Sequence, residues 1–154
     1  MAESSAVQRP IDDLDETAVI ARDLIRIDTT NYGEGRAEGE REAAEYVEAK
    51  LAAMGLAPEL FEPEPRRTSV VARVPGQNPD KPALVLHGHL DVVPADPRNW
   101  SVDPFAGEVR DGMLWGRGAV DMKDMDAMML TALGGILGSG ALPEREIVVA
   151  YFAD

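Results

Sequence analysis

The amino-acid sequence predicts an α/β fold, in which helices and strands alternate along the chain and pack in layers. The run 83–89 is apolar until its last residues, which is typical of a central strand covered by helices on both faces. The run 146–154 has the character of a second buried strand. Apolar residues recur at helical spacing in segments before and between these strands. We therefore expect a mostly parallel or mixed sheet between helices.

Two helices are predicted in the first third of the chain. The run 14–27 repeats apolar residues at helical spacing and has acidic residues early, where the helix dipole favours them. The run 38–54 has a similar apolar face and ends before Gly55, a natural residue after a helix C-terminus. Short β-rich runs at 59–62 and 69–74 then suggest a hairpin or an edge pair.

The second half supplies the remaining elements. After the central strand 83–89, the segment 108–115 predicts a hairpin that turns at Asp111-Gly112. A glycine-rich turn leads into a helix over 121–137, which glycines terminate. The buried strand 146–154 closes the sequence.

The composition excludes several classes of protein. The 28 acidic residues exceed the 15 basic ones, so the net charge of −13 argues against binding to nucleic acid or to anionic membranes. The absence of cysteine excludes disulfides and thiolate metal ligands. The first ten residues lack the features of a signal peptide and predict a disordered tail, and the longest apolar stretch, 127–137, is too short to span a membrane. We therefore expect a cytoplasmic protein.

Polar residues cluster where the strand 83–89 ends. His87, His89 and Asp91 are spaced two apart, so in an extended chain their side chains leave the same face. Imidazole is a common zinc ligand, and its second nitrogen usually donates to a carboxylate that fixes the ring. His89 and Asp91 suit those two roles. The alternative is a core histidine that is hydrogen-bonded to a loop aspartate.

Asp121 lies where the glycine-rich turn becomes a helix. One interpretation is an N-cap, with Asp124 three residues later in a position like that of a capping box. The other is a metal ligand, because the two oxygens of a carboxylate can bridge two cations. Spacing alone does not decide between them.

Three motifs in order are more specific than any one of these residues. They are His89-Leu-Asp-Val-Val-Pro94, Trp100-Ser-Val-Asp-Pro-Phe-Ala-Gly107 and Asp111-Gly-Met-Leu-Trp-Gly-Arg-Gly-Ala-Val-Asp-Met-Lys-Asp124. Together they resemble the M20 family of metallopeptidases and amidohydrolases, which includes dipeptidases, carboxypeptidases, succinyl-diaminopimelate desuccinylase, acetylornithine deacetylase and aminoacylase. The resemblance implies that residues 11–154 are the N-terminal portion of a three-layer catalytic domain like that of the zinc exopeptidases.

The resemblance also implies a role for each matching residue. His89 would bind one of two divalent metal ions. Zinc is the first candidate, and cobalt and manganese accept the same ligands. Asp91 would orient His89 as part of the catalytic machinery, and Asp121 would bridge both ions and precede a cis peptide bond to Met122. His87 matches no ligand position, and we expect it to be a supporting or core residue.

Other parts of the family pattern are not among the 154 residues, and the resemblance implies that they would follow Asp154. They include a Glu-Glu pair, which supplies the general base and a metal ligand, two further ligands, and a lid or dimerisation domain. The resemblance therefore implies that the complete protein cleaves a peptide or N-acyl amide bond in a small substrate. It also implies that a homodimer of the complete protein is possible and that the 154 residues alone are inactive. The alternative is a non-catalytic fragment, or a binding or assembly module derived from such an enzyme.

Overall fold

A computed structural model describes residues 15–154 of the chain. The predicted tail over 1–10 and the start of the first predicted helix lie outside these residues. The helices are α1 (Glu16–Arg26), α2 (Arg41–Ala53) and α3 (Lys123–Gly138). The strands are β1 (Asn31–Gly33), β2 (Arg36–Ala37), β3 (Glu59–Glu64), β4 (Arg67–Val74), β5 (Leu84–His89), β6 (Glu108–Arg110), β7 (Met113–Trp115) and β8 (Ile147–Phe152).

Four of these strands form a mixed sheet in the order β3-β4-β8-β5. The β3–β4 hairpin and the β4–β8 pair are antiparallel, whereas β5 and β8 run parallel from Leu84↔Ile147 to His89↔Phe152. The pairs β1–β2 and β6–β7 form two small separate ribbons. The predicted α/β fold with a mixed sheet is confirmed.

The hydrophobic core lies between the helices and one face of the sheet. On that face, Val70, Ala72 and Val74 of β4 lie beside Val149 and Tyr151 of β8, and all five are buried. Helix α2 packs against β4, and α1 packs against α3, which in turn contacts β5. The sheet edge formed by β5 is thereby fixed to α3, the helix that follows the glycine-rich turn.

The position of β5 corrects one expectation. Its apolar run predicts a central strand, but in residues 15–154 it pairs with β8 alone, and Leu84 and Val85 are 44% and 56% exposed. The strands with partners on both sides are β4 and β8. An apolar run indicates a strand, but its place in the sheet depends on which segments pair with it.

Helix α2 begins three residues later than its periodicity predicts. The amide nitrogens of Glu40 and Arg41 donate to the carbonyl of Arg66, which lies in the turn of the β3–β4 hairpin. Gly39 adopts a φ of +94°, and a Cβ there would lie 2.6 Å from Cβ of Arg66. This close approach to the hairpin turn holds Gly39 in a non-helical conformation, so the helix starts only at Arg41.

No helix of residues 15–154 has the length and apolarity that a crossing of the bilayer requires.

Candidate metal centre

The chain remains extended beyond β5 because a second segment runs beside it. Thr30 pairs with Val92 in a parallel bridge, and the amide of Asn31 donates to the carbonyl of Val92 over 2.8 Å. On the other side of Thr30, the hydroxyl of Thr29 donates to the carbonyl of Leu90 over 2.6 Å. These bonds hold residues 90–92 in place, directly after His89.

His89 contacts both carboxylates that the sequence motifs place with it. Its Nδ1 lies 3.1 Å from the carbonyl oxygen of Asp91 and, at the same 3.1 Å, from Oδ1 of the Asp91 carboxylate. Only the contact with the carbonyl has the geometry of a hydrogen bond, and within residues 15–154 the buried Oδ1 has no hydrogen-bond partner. Nε2 of His89 lies 3.1 Å from Oδ1 of Asp121. The structure thus brings together the three predicted site residues.

In neutral His89 with its hydrogen on Nδ1, the contact with Asp121 places two acceptors face to face. When the Nδ1 hydrogen is donated to Asp91, neutral imidazole has only a lone pair at Nε2, and this lone pair meets a carboxylate oxygen. A proton or a cation between the two atoms is needed to make the contact favourable. Partial burial lowers the pKa of His89, but the hydrogen bonds and charges of Asp121 and Asp91 outweigh it and raise the pKa overall.

Asp121 does not cap α3. The N-cap position is occupied by Met122, which makes no side-chain capping bond, and the carboxylate of Asp124 accepts from the amide of Met125 instead. The side chain of Asp121 is 85% exposed and points its Oδ1 at His89. The N-cap interpretation is therefore wrong, and the peptide bond between Asp121 and Met122 is cis, as the family resemblance implies.

Lys123 anchors the start of α3 to the end of α1. Its side chain is fully buried, and Nζ donates to the carbonyls of Leu24 and Ile27 over 2.8 and 2.9 Å. These carbonyls lie at the C-terminus of α1, where the helix dipole favours a cation. Burial lowers the pKa of Lys123 to about 8, although Asp28, Asp126 and Asp91 act in the opposite direction. This anchor fixes the backbone two residues after Asp121.

The same helix holds a buried carboxylate behind the strand. Asp126 is fully buried, neither of its oxygens has a hydrogen-bond partner among residues 15–154, and the hydroxyl of Tyr151 is unpartnered as well. Burial raises the pKa of Asp126 to about 7, against the attraction of His89 and Lys123. No sequence pattern distinguishes this aspartate from an exposed helical one.

Gly88 makes room for Asp126. A Cβ on Gly88 would lie 2.1 Å from Oδ1 of Asp126 and 3.1 Å from Cε of Met129. We expect Gly88→Ala to destabilise the fold by about 3 kcal/mol, because the extra methyl overpacks the interface and pushes on a buried carboxylate. Urea unfolding of the variant and the wild type measures this difference.

The control for this substitution is Gly135→Ala in α3. Among residues 15–154, no atom outside its immediate neighbourhood lies within 4 Å of a Cβ built there. Because alanine favours a helix over glycine, we expect this variant to be more stable than the wild type by up to about 1 kcal/mol. Wild-type stability of the Gly88→Ala variant would contradict the close packing of Gly88 on Asp126.

His87 does not lie in the core, which is one of the two places expected for it, and a supporting role at the site stays a prediction. The residue is exposed, and its ring centre lies 6.0 Å from that of Phe152. The expectation of a core position is wrong because β5 is at the edge of the sheet. The open cavity beside the site has a volume of 370 Å³ and is bordered by both histidines, Met122, Phe152 and Asp154.

The comparisons with known proteins agree with the motifs. Residues 85–154 match the model of the peptidase family M20/M25/M40. The chain is 44% identical over 117 residues to a succinyl-diaminopimelate desuccinylase of Methylobacterium radiotolerans, an alignment that covers 73% of this chain and 28% of that protein. Residues 85–154 belong to the M20 family. The matched segment contains His89, Asp91 and Asp121.

Solved M20 structures share the fold. A metallo-carboxypeptidase from Sulfolobus solfataricus superposes with a TM-score of 0.77 at 23% identity, over 91% of this chain and 31% of the other. A dinuclear metal-binding peptidase of the family from Bacillus subtilis gives a TM-score of 0.57 at 17% identity, over 88% and 34% of the two chains. The chain thus spans about a third or less of these M20 relatives.

Two of the predicted metal ligands lie in this chain. Within residues 15–154, no group of three histidine or carboxylate side chains converges as a metal site. The residues that are present nevertheless suit a divalent cation, because an imidazole nitrogen and a carboxylate oxygen, both of which bind such cations, face each other at 3.1 Å beside an open cavity. The further ligands that the M20 resemblance implies remain a prediction about residues beyond Asp154.

Proposed function

We propose that the complete protein is a metal-dependent hydrolase that cleaves a peptide or N-acyl amide bond. The observation that supports it is the contact between Nε2 of His89 and Oδ1 of Asp121, which lie 3.1 Å apart where β5 ends. The M20 relatives are hydrolases, which supports the enzyme class. An isolated ion pair between a histidine and an aspartate would explain the contact but not the surrounding motifs.

Each of the three side chains has a distinct part in this proposal. His89 and Asp121 hold the divalent ions, with zinc as the first candidate and cobalt or manganese as alternatives. Bound ions would supply a water of lowered pKa and stabilise negative charge on the amide oxygen. Asp91 keeps the imidazole oriented, since its carbonyl accepts from Nδ1 and leaves Nε2 free to face the ions. Asp121 is exposed, so its second oxygen is accessible to another ligand.

The proposed substrates are small peptides or N-acyl amino acids. The desuccinylase and the carboxypeptidase among the relatives point to these two kinds of amide bond. The net charge of −13 disfavours nucleic acid and anionic membrane surfaces as partners. A cytoplasmic location and a homodimer of the complete protein are part of the same proposal, and residues 1–154 alone are proposed to be inactive.

Metal removal tests the proposal directly. The complete protein encoded by the gene is purified, its metal content is measured, and hydrolysis of N-acyl amino acids and dipeptides is followed before and after dialysis against a chelator. We expect at least one bound divalent ion, loss of hydrolysis on chelation, and recovery when zinc, cobalt or manganese is restored. Undiminished hydrolysis in the metal-free protein would refute the proposal. A gene that stops after Asp154, with a product that binds no metal, would favour a binding or assembly module.

A further inference from the structure

We infer that Asn31 is a positioning residue of the site, which holds the carboxylate of Asp91 beside His89. The inference rests on the proposed function, because it assigns Asn31 a part in keeping His89 ready to bind metal. Asn31 lies in β1, outside the segment that the family model matches. It acts through Asp91 and does not itself face the cavity beside His89.

The side-chain amide of Asn31 uses all of its polar groups. Oδ1 accepts from the backbone amide of Gly33 over 2.9 Å. Nδ2 donates to Oδ2 of Asp91 over 3.1 Å and to the main-chain oxygen of Asp154 over 2.8 Å. Exchanging the oxygen and nitrogen would set donor against donor at Gly33 and acceptor against acceptor at Asp91, so the hydrogen bonds fix the orientation of the amide.

The backbone holds Asn31 in the same place. Its amide nitrogen donates to the carbonyl of Val92 over 2.8 Å, and the preceding Thr30 is paired with Val92. Asn31 is thus linked both to the side chain of Asp91 and to the backbone of Val92, the residue that follows it. Asn31 and Asp91 therefore cannot move independently of each other.

Asp91 needs this donor. Its side chain is only 13% exposed, and within residues 15–154 Oδ2 receives its hydrogen bond from Asn31 while Oδ1 has none. A nearly buried carboxylate without a donor is costly, so it turns toward water or toward another donor when one is lost. If Asp91 turns, its Oδ1 leaves its 3.1 Å contact with Nδ1 of His89, and only the hydrogen bond to the main-chain carbonyl of Asp91 then restrains the imidazole.

The second hydrogen of Nδ2 extends the contact to the end of β8. The main-chain oxygen of Asp154 accepts it, just beyond Phe152, whose partner in the parallel ladder is His89. One amide therefore joins the segments that follow α1, β5 and β8. This is the arrangement expected of a residue that sets the relative positions of the segments that carry the site. It explains why every polar group of the Asn31 amide is hydrogen-bonded although Asn31 lies in a short ribbon.

Asn31→Asp is the test substitution, made in the complete protein. Aspartate keeps Oδ1 for the amide of Gly33 but removes both donors and sets a second carboxylate against Asp91. We expect affinity for Co²⁺ and Zn²⁺ to fall about 10- to 100-fold, the visible absorption spectrum of the Co²⁺-loaded protein to change, and kcat to fall by a similar factor. KM should stay within about twofold, because Asn31 does not face the cavity.

Asn78→Asp is the matched control. Oδ1 of Asn78 accepts from the backbone amide of Asp80 over 3.0 Å, which is the same local turn, in the loop that precedes β5. The same chemical change there should leave metal affinity and the Co²⁺ spectrum as in the wild type. Thermal unfolding of all variants reports whether they fold, and Asn31→Ser, which keeps an acceptor for Gly33 but is too short to reach Asp91, replaces Asn31→Asp if that variant does not.

A double-mutant cycle with Asp91→Asn shows whether Asn31 acts through Asp91. We expect the Asn31→Asp, Asp91→Asn double variant to bind metal about as weakly as Asp91→Asn alone. Losses that multiply, or an Asn31→Asp variant with wild-type affinity and spectrum, would overturn the inference while the proposed function stands. A wild-type protein that binds no metal would refute both the proposed function and this inference. Because the wild type is measured first, that result is distinguished from the failure of the inference alone.

Discussion

Replacing His89 with alanine is expected to lower metal affinity about 100-fold and to abolish hydrolysis by the complete protein. A structural zinc site is stabilised by about 10–16 kcal/mol from four ligands, so one ligand contributes roughly 3 kcal/mol. The substitution also leaves Asp121 without the partner that its Oδ1 contacts at 3.1 Å. Isothermal titration of the metal-free protein with Zn²⁺ and Co²⁺ measures the loss of affinity, and the hydrolysis assay measures the loss of turnover.

His87→Ala is the control for this prediction. His87 is also a histidine of β5, two residues earlier and on the same face, and it is exposed. Because His87 borders the same cavity as His89, the control is judged on metal affinity and not on turnover. We expect His87→Ala to bind metal as the wild type does. Equal losses in the two variants would mean that His89 has no special role as a ligand.

The secondary structure follows from the local pattern, whereas the order of strands does not. Apolar periodicity locates α1, α2 and α3, and the β3–β4 and β6–β7 hairpins form where the sequence predicts them. The position of β5 at the sheet edge could not be predicted, because it depends on pairing between segments about sixty residues apart. The late start of α2 has the same origin, since the carbonyl of Arg66 sets it from a distant hairpin turn.

The site divides in a similar way. His89, Asp91 and Asp121 can be found because they stand in motifs whose order and spacing resemble a known family. Asn31 and Lys123 give no such signal. Their partners lie 60 and 99 residues away along the chain, so an asparagine in a turn-rich stretch and a lysine in a first helical turn are indistinguishable from exposed residues until the fold is known.

Polar groups of this kind pack behind the candidate metal centre. The buried Lys123 satisfies two carbonyls and the half-buried Asn31 satisfies a carboxylate, so hydrogen bonds compensate the desolvation of both side chains. Asp126 differs, because neither of its oxygens has a partner within residues 15–154. Ionisation of the buried Asp126 should therefore lower the free energy of unfolding, and the pH dependence of stability measures this effect.

Asp126→Asn is expected to remove a pH-dependent loss of stability from the metal-free protein. Burial raises the pKa of Asp126 from 3.8 to about 7, against the attraction of His89 and Lys123 and with some help from Asp124. Between these values the folded state binds more protons than the unfolded state, so the free energy of unfolding falls as pH rises from about 4 to about 7 and levels off above. The carboxylate therefore costs about 4 kcal/mol at pH 8 relative to pH 4, and asparagine does not carry this cost.

The measurement is urea unfolding of the dialysed, metal-free variant and wild type at several pH values between 4 and 8. Buried asparagine has its own unpartnered amide, which adds a constant offset, so the quantity compared is the change in the stability difference with pH. We expect that difference to shift in favour of asparagine by about 4 kcal/mol across the range. The exposed Asp111 of the β6–β7 turn provides the control, since Asp111→Asn should leave the difference constant. Parallel pH profiles for Asp126→Asn and the wild type would show that the carboxylate of Asp126 is hydrated or paired in solution, contrary to its position behind Gly88.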